Sequence, residues 1–231
     1  MKTAARAERG LAAAPLEVMR SGQVSSIPMR FDRRVTTEPQ GFAAPAAPDG
    51  ANAQRELTVF LDRDGVLVRD RPDYVKNWSE VEIVPGSLEA LGRLRSAGAR
   101  VLVATNQSAV GRGIVRREAV DDMHARLADM ALRHGARIDG FLVCPHTPDD
   151  GCACRKPKPG LLLQAQADRG VDLSTAFMVG DQVSDALAAE AAGCTAILLA
   201  DRPPATTTPW RVVPSLADAV DLILDASRSP S

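Results

Sequence analysis

From Leu57 to Ala226 the chain repeats one pattern: a short, continuous apolar run followed by a longer stretch with helical spacing of its apolar residues. The runs are LTVFL at 57–61, ARVLVATN at 99–106, IDGFLVC at 138–144, TAFMVGD at 175–181 and TAILLAD at 195–201. Alternating with them are SLEALGRLRSAG at 87–98, REAVDDMHARLADMALRHG at 117–135, GLLLQAQADRG at 160–170, SDALAAEAAG at 184–193 and SLADAVDLILDA at 215–226. A strand that is apolar along its whole length must be covered on both faces, and strand–helix alternation supplies the covering helices. The pattern predicts an α/β domain with a doubly wound parallel sheet over residues 56–228.

Residues 1–55 do not share this pattern. They hold twelve Ala and five Pro, including the low-complexity stretch GFAAPAAPDGANA at 41–53. They carry eight Lys/Arg against five Asp/Glu, which leaves 20 basic and 24 acidic residues in the remainder, a net of −4. So few aromatic and β-branched residues cannot offset the entropy of ordering, and a disordered extension is expected. Lys2, Arg6 and Arg9 precede an Ala-rich patch, but Glu8 and Glu17 interrupt it and no apolar core follows, so no signal peptide is expected. No apolar run reaches the roughly 20 residues of a spanning helix, and the acidic body offers no basic footprint for nucleic acid. A cytoplasmic monomer without membrane or nucleic-acid partners is expected.

In doubly wound folds, ligands bind beyond the carboxyl ends of the strands. Here the first predicted strand ends in Asp62-Arg63-Asp64-Gly65, the second in Thr105-Asn106-Gln107-Ser108 and the fourth in Gly180-Asp181. After the third come a Cys/His cluster and then Arg155-Lys156-Pro157. One Asp at a strand end is usually a cap or turn residue. Four segments delivering acids, a hydroxyl and a cation to one rim call for another explanation. Two carboxylates with a distant third suit a hard divalent cation, Mg²⁺ first among them. A Thr hydroxyl and a Lys ammonium suit the neutralisation of a phosphoryl group. A carboxylate can carry such a group covalently, and a second acid two residues on can protonate the leaving oxygen and then activate water.

The cluster reads Cys144-x-His146-x5-Cys152-x-Cys154. Three thiolates and an imidazole complete a tetrahedral Zn²⁺ site with no open position, which makes the expected role structural. A disulfide between Cys152 and Cys154 would be strained, and no C-x-x-C redox pair is present. The loop runs directly into Arg155 and Lys156, so a bound metal would hold the lysine in register. Cys194 reads as a small buried hydrophobe.

In order, Asp62-x-Asp64-Gly65, Thr105, Lys156 and Gly180-Asp181-x-x-x-Asp185 closely resemble the haloacid dehalogenase (HAD) phosphohydrolase superfamily, over Leu57 to Asp201. The resemblance implies a nucleophilic Asp62 that forms an aspartyl-phosphate, and Asp64 as general acid and base. It implies that Thr105 and Lys156 orient the phosphoryl group. Mg²⁺ would be held by Asp62, the main-chain carbonyl of Asp64 and Asp181, with Asp185 in support. Receiver domains also use Asp, Thr and Lys, but their acceptor lies on the third strand, whereas DRDG is on the first.

DRDG, TNQS and a C-x-H…C-x-C loop running into CRKPKPG are similar to the zinc-loop phosphatases of that superfamily. These act on heptose bisphosphate or on histidinol phosphate and lack a large cap domain. By that resemblance Asn106, Gln107, Ser108 and Arg155 contact substrate, and a planar Arg155 suits a bidentate clamp on a second phosphate. The first expectation is therefore a Mg²⁺-dependent, Zn²⁺-stabilised phosphomonoesterase removing the C7 phosphate of D-glycero-D-manno-heptose 1,7-bisphosphate on the route to ADP/GDP-heptose. Histidinol phosphate is the alternative substrate. A catalytically inactive zinc-bearing binding module is the alternative of another class, opposed by the complete acid, Thr and Lys set. Three features stay apart from this reading. Arg112, in Gly-Arg-Gly at 111–113, reads either as presented to a phosphate or as part of a turn into the next helix. The stretch Val68–Trp78, with Tyr74, reads either as a closing loop or as packing. His124, at helical spacing with Val120 and Leu127, reads as a helix-face residue without a catalytic role.

Overall fold

A computed structural model describes residues 56–202 and 209–228; the extension expected at 1–55 lies outside the described residues. The strands are β1 (Thr58–Leu61), β2 (Arg100–Asn106), β3 (Gly140–Cys144), β4 (Phe177–Gly180), β5 (Thr195–Leu199) and β6 (Arg211–Val213). All pairings are parallel, in the order β3-β2-β1-β4-β5-β6. The chain therefore winds outward from β1 in one direction, returns to its other side at β4, and winds outward again. That reversal makes a switch point between β1 and β4, where their carboxyl ends open a crevice.

Residue parity along each strand sorts the core. Val59 and Leu61 of β1, Val101 and Val103 of β2 and Val179 of β4 face one layer of helices. Phe60, Leu102, Ala104 and Met178, one position out of step, face the other. The first layer is α1 (Ser87–Ser96), α3 (Arg117–Arg133) and α6 (Leu216–Arg228), which contribute Leu91, Leu94, Met123, Leu127 and Ile223. The second layer is α4 (Gly160–Arg169) and α5 (Val183–Ala192), which contribute Leu161, Leu162, Ala165, Ala186 and Ala189. The continuous apolar runs thus have the cause expected of them, a sheet buried on both faces.

All five expected strands and five expected helices are present, each within a few residues of its predicted ends. Among the described residues, one strand and one α-helix go beyond those expected. β6 holds three half-buried or exposed residues, too short to carry a periodic signal. The four-residue α2 (Ser108–Gly111) turns the chain directly after β2, and Gly113 follows it with φ of 68°. Between β1 and α1 the chain makes a 3-10 turn at Trp78–Glu80 and isolated bridges of Val68 to Asp64 and Ile83, so no large cap is inserted there. Among the described residues no helix is long and apolar enough to cross a membrane.

Leu91 is fully buried between the sheet and its helical cover. Leu91→Ala should lower unfolding free energy by about 2–5 kcal/mol, because the cavity adds to the lost transfer energy. Urea denaturation checks this: the midpoint falls while the slope stays constant.

Candidate active site

The rim is assembled from the carboxyl ends of β1, β2 and β4 and from the loop that precedes α4. The amide of Asp62 donates to the Val179 carbonyl at 2.9 Å, which continues the β1–β4 ladder by one residue and sets Asp62 beside Asp181. Gly65 has φ of 81°, and a Cβ there would stand 2.2 Å from Asp181 Oδ2. Gly180 is equally constrained by contact, since its Cβ would lie 2.2 Å from Asp185 Oδ2. Both glycines let carboxylates from β4 and α5 close against the backbone of the rim.

Lys156 is the centre of the arrangement. Its Nζ donates to Asp62 Oδ1 at 2.8 Å and to the Ala104 carbonyl at 2.7 Å, and it pairs with Asp185 Oδ1 at 2.7 Å. The residue is 3% exposed. Burial on its own would favour the neutral amine, but the charges of Asp62 and Asp185 outweigh it and raise the lysine above its ordinary range. Burial pushes Asp185 up to about 6, against the pull of Lys156. The Lys156 main chain is fastened to β2 by Asn106, whose Oδ1 accepts from the Lys156 amide while its Nδ2 donates to the Lys156 carbonyl, both at 3.1 Å.

Asp64 faces differently from Asp62. Arg63 forks onto its carboxylate, with Nη2 at 2.8 Å from Oδ1 and 2.9 Å from Oδ2, and Nε at 3.1 Å from Oδ1. Gln107 Nε2 donates to Asp64 Oδ2 at 2.8 Å and to Thr105 Oγ1 at 2.9 Å. Burial raises the Asp64 pKa, opposed by the Arg63 charge.

A cavity of about 480 Å³ opens over these groups. Asp62, Asp64, Asn106, Gln107, Arg155, Lys156 and Asp181 all line it. Thr105 and Ser108 are buried at the end of β2 and the start of α2 and are not among its lining residues. Asp70, Arg71 and Tyr74 from the Val68–Trp78 stretch form another wall. Tyr74 has φ of 64°, a conformation unusual for a residue with a side chain, and one that clusters at functional sites. Arg63 was legible only as the spacer between two acids; its value as a fork appears once both side chains have directions.

The carboxylates of Asp62, Asp181 and Asp185 offer oxygens within 4.8 Å of one another. Asp181 Oδ1 is buried without a hydrogen-bond partner, which burial makes costly unless a cation satisfies it. An all-oxygen cluster of this kind fits Mg²⁺. The second cluster fits a different ion. His146 Nδ1 lies 3.6 Å from Cys144 Sγ and 3.2 Å from Cys154 Sγ, and the three sulfurs are 3.3–3.7 Å apart. Thiolates at about 2.3 Å from one tetrahedral Zn²⁺ would stand roughly 3.7 Å from each other. Disulfide distances are much shorter, and all four cysteines are free. The loop reaches the cavity through Arg155, whose Nη1 donates to the His146 carbonyl at 3.2 Å.

A doubly wound sheet with acids at its switch point, a buried lysine and a metal-fitting carboxylate trio defines the class of HAD-type hydrolases. A family model described as HAD-hydrolase-like matches residues 153–219. The chain is 46% identical over 141 residues to the D-glycero-β-D-manno-heptose-1,7-bisphosphate 7-phosphatase of Pseudomonas aeruginosa, covering 61% of this chain and 79% of that protein. It is 40% identical to the D-glycero-α-D-manno-heptose-1,7-bisphosphate 7-phosphatase of Mycobacterium bovis, covering 63% of this chain and 80% of that one. The crystal structure of D,D-heptose 1,7-bisphosphate phosphatase from B. bronchiseptica, complexed with magnesium and phosphate, superposes with a TM-score of 0.67 at 35% identity, covering 74% of this chain and 99% of that one. The chain belongs to the HAD-like phosphatase family that contains these heptose-bisphosphate phosphatases.

Gly65→Ala tests the packing of the rim. The new Cβ must displace the Asp181 carboxylate and hold a strained φ. Phosphatase turnover should fall by about 10²-fold, the usual cost of moving a reacting group by an ångström. Circular dichroism should show the secondary structure unchanged.

Proposed function

We propose that this chain removes the C7 phosphate of D-glycero-D-manno-heptose 1,7-bisphosphate in the cytoplasm, and that residues 56–228 carry the whole reaction. The observation that carries the reading is the buried Asp62–Lys156–Asp185 arrangement at the floor of a cavity, in a chain 46% identical to an enzyme of that name. Lys156 fixes Asp62 Oδ1, so the carboxylate is held oriented for in-line attack on phosphorus. As the bond from phosphorus to the sugar oxygen breaks, Asp64 donates a proton to that oxygen. Asp64 then takes a proton from the water that attacks the aspartyl-phosphate, releasing inorganic phosphate and restoring Asp62. Lys156 neutralises charge on the phosphoryl oxygens during both steps, and Thr105 acts from behind the cavity wall by holding the Gln107 amide. Asp62, Asp181 and the Asp64 carbonyl would hold Mg²⁺, which supplies positive charge between the carboxylate and the transferring group. Asn106 and Gln107, already engaged with Lys156 and Asp64, support the site as well as facing the substrate, while Arg155, anchored by Nη1 to the His146 carbonyl, lines the cavity and would clamp a second phosphate with its remaining N–H groups.

The experiment measures phosphate release from the α and β anomers of heptose 1,7-bisphosphate and from histidinol phosphate. Heptose bisphosphate should give the higher kcat/KM by at least about tenfold, and Asp62→Asn should abolish turnover while leaving the circular dichroism spectrum of the folded protein unchanged. A preference for histidinol phosphate would replace the substrate; turnover surviving in Asp62→Asn would remove the covalent step.

Cys144, His146, Cys152 and Cys154 would hold Zn²⁺ as a structural ion. Burial holds the Cys144 thiol up at about 12, which a thiolate-binding cation would overcome. Removing zinc with a chelator, with Mg²⁺ kept in excess, should lower both melting temperature and turnover, because the loop positions Arg155 and Lys156. Inductively coupled plasma mass spectrometry should find about one zinc per chain before treatment.

A further inference from the structure

The acid–base carboxylate has a support that reaches α3 in the first helical layer. Arg63 is only 3% exposed, and its two ends do different things. One end forks onto Asp64. The other, Nη1, lies 3.3 Å from Nε2 of His124 on α3. His124 is itself buried, 4% exposed, and its ring stacks on Phe141 of β3 with centroids 4.2 Å apart and planes 6° from parallel. A guanidinium only donates hydrogen bonds, so the nitrogen facing it must present a lone pair, and the ring proton belongs on Nδ1. Burial, with the charges of Arg63 and Arg117 adding to it, depresses the imidazole to about 3, so the ring keeps that lone pair across the working range of a neutral enzyme.

We propose that His124 is a positioning residue for the acid–base step: it accepts from Arg63, holds the guanidinium plane, and through it fixes the direction of the Asp64 carboxylate. The inference rests on Asp64 being the acid and base of a phosphatase. The geometry favours this role over simple core filling. An apolar residue of the same volume would pack on Phe141 equally well, but it would leave one arm of a buried guanidinium unsatisfied. A planar fork with one arm free can rotate, and rotation carries Asp64 off line with the leaving oxygen. Arg63 and Asp64 are neighbours in sequence, but the brace on their fork comes from a residue 61 positions away, so tertiary packing supplies it.

The test separates positioning of an acid from loss of stability. Expulsion of an alkoxide needs a proton from Asp64, whereas p-nitrophenolate leaves without one. kcat/KM reports steps up to release of the leaving group, so it isolates the acid role. In His124→Phe, which keeps the stack and loses the acceptor, kcat/KM for heptose 1,7-bisphosphate should fall at least about tenfold, while that for p-nitrophenyl phosphate falls less than about threefold. KM for the sugar phosphate should stay near wild type. His124→Gln, whose side-chain carbonyl can accept from Arg63, should restore the wild-type ratio. Arg63→Lys, which keeps the charge without the fork, should reproduce the selective loss and provides the same reading if His124→Phe fails to fold. Equal losses on both substrates, no loss on either, or failure of Gln to restore the ratio overturns the positioning role. A wild-type protein inactive on both phosphates overturns the phosphatase reading, and this inference with it.

Discussion

One buried cation organises this molecule. Lys156 is held among the Asp62 carboxylate, the Asp185 carboxylate and the Ala104 carbonyl, groups that belong to β1, α5 and β2. A lysine so enclosed is tolerable only if its charge is matched, and a carboxylate so enclosed only if it meets a donor. Removing any member leaves the others uncompensated, which ties the two halves of the sheet together at the switch point. The same constraint orients Asp62, and beside it Asp181 presents an oxygen without a hydrogen-bond partner.

Because Lys156 sits in a loop, its position has to be imposed from outside. Two devices do so. Asn106 brackets the Lys156 peptide from the end of β2, and the Cys/His loop ends two residues upstream. Lys158 reaches back to the carbonyls of Gly151 and Cys152, closing the loop on itself. A cation that gathers four ligands from eleven consecutive residues would turn a long polar connection into a rigid mount. The second acid, Asp64, has an independent support, the Arg63 fork with His124 behind it, so the two carboxylates of the DRDG segment differ in environment.

The fold was largely legible because its signals are strong and redundant. Continuous apolar strands such as VFL at 59–61 and VLVA at 101–104, separated by helices with regular apolar spacing, admit few arrangements, and strand-end acids mark the rim. What escaped was local and short. The three residues of β6 carry no period, and α2 is a single turn. His124 was read as an ordinary helix-face residue because Val120 and Leu127 give it that spacing; its burial between Phe141 and Arg63 depends on how closely α3 approaches β3. Asn106 and Gln107 were expected as contacts to substrate; both line the cavity, and only the structure shows that their side chains also bond to Lys156 and Asp64.

The sequence alone determined the kind of residues available and their local spacing: an Asp two positions from an Asp, a glycine where the chain must pass a carboxylate, and four metal-ligating side chains within one loop. These are decided by covalent neighbourhood, and neighbours in sequence cannot move far apart. Only the tertiary structure decided which distant groups meet. The order β3-β2-β1-β4-β5-β6 brings Asp62, Lys156 and Asp185 into one ion-paired group and stacks α3 so that His124 touches Arg63. Such meetings follow from packing two helical layers onto a twisted sheet, a global condition that no short stretch of residues contains.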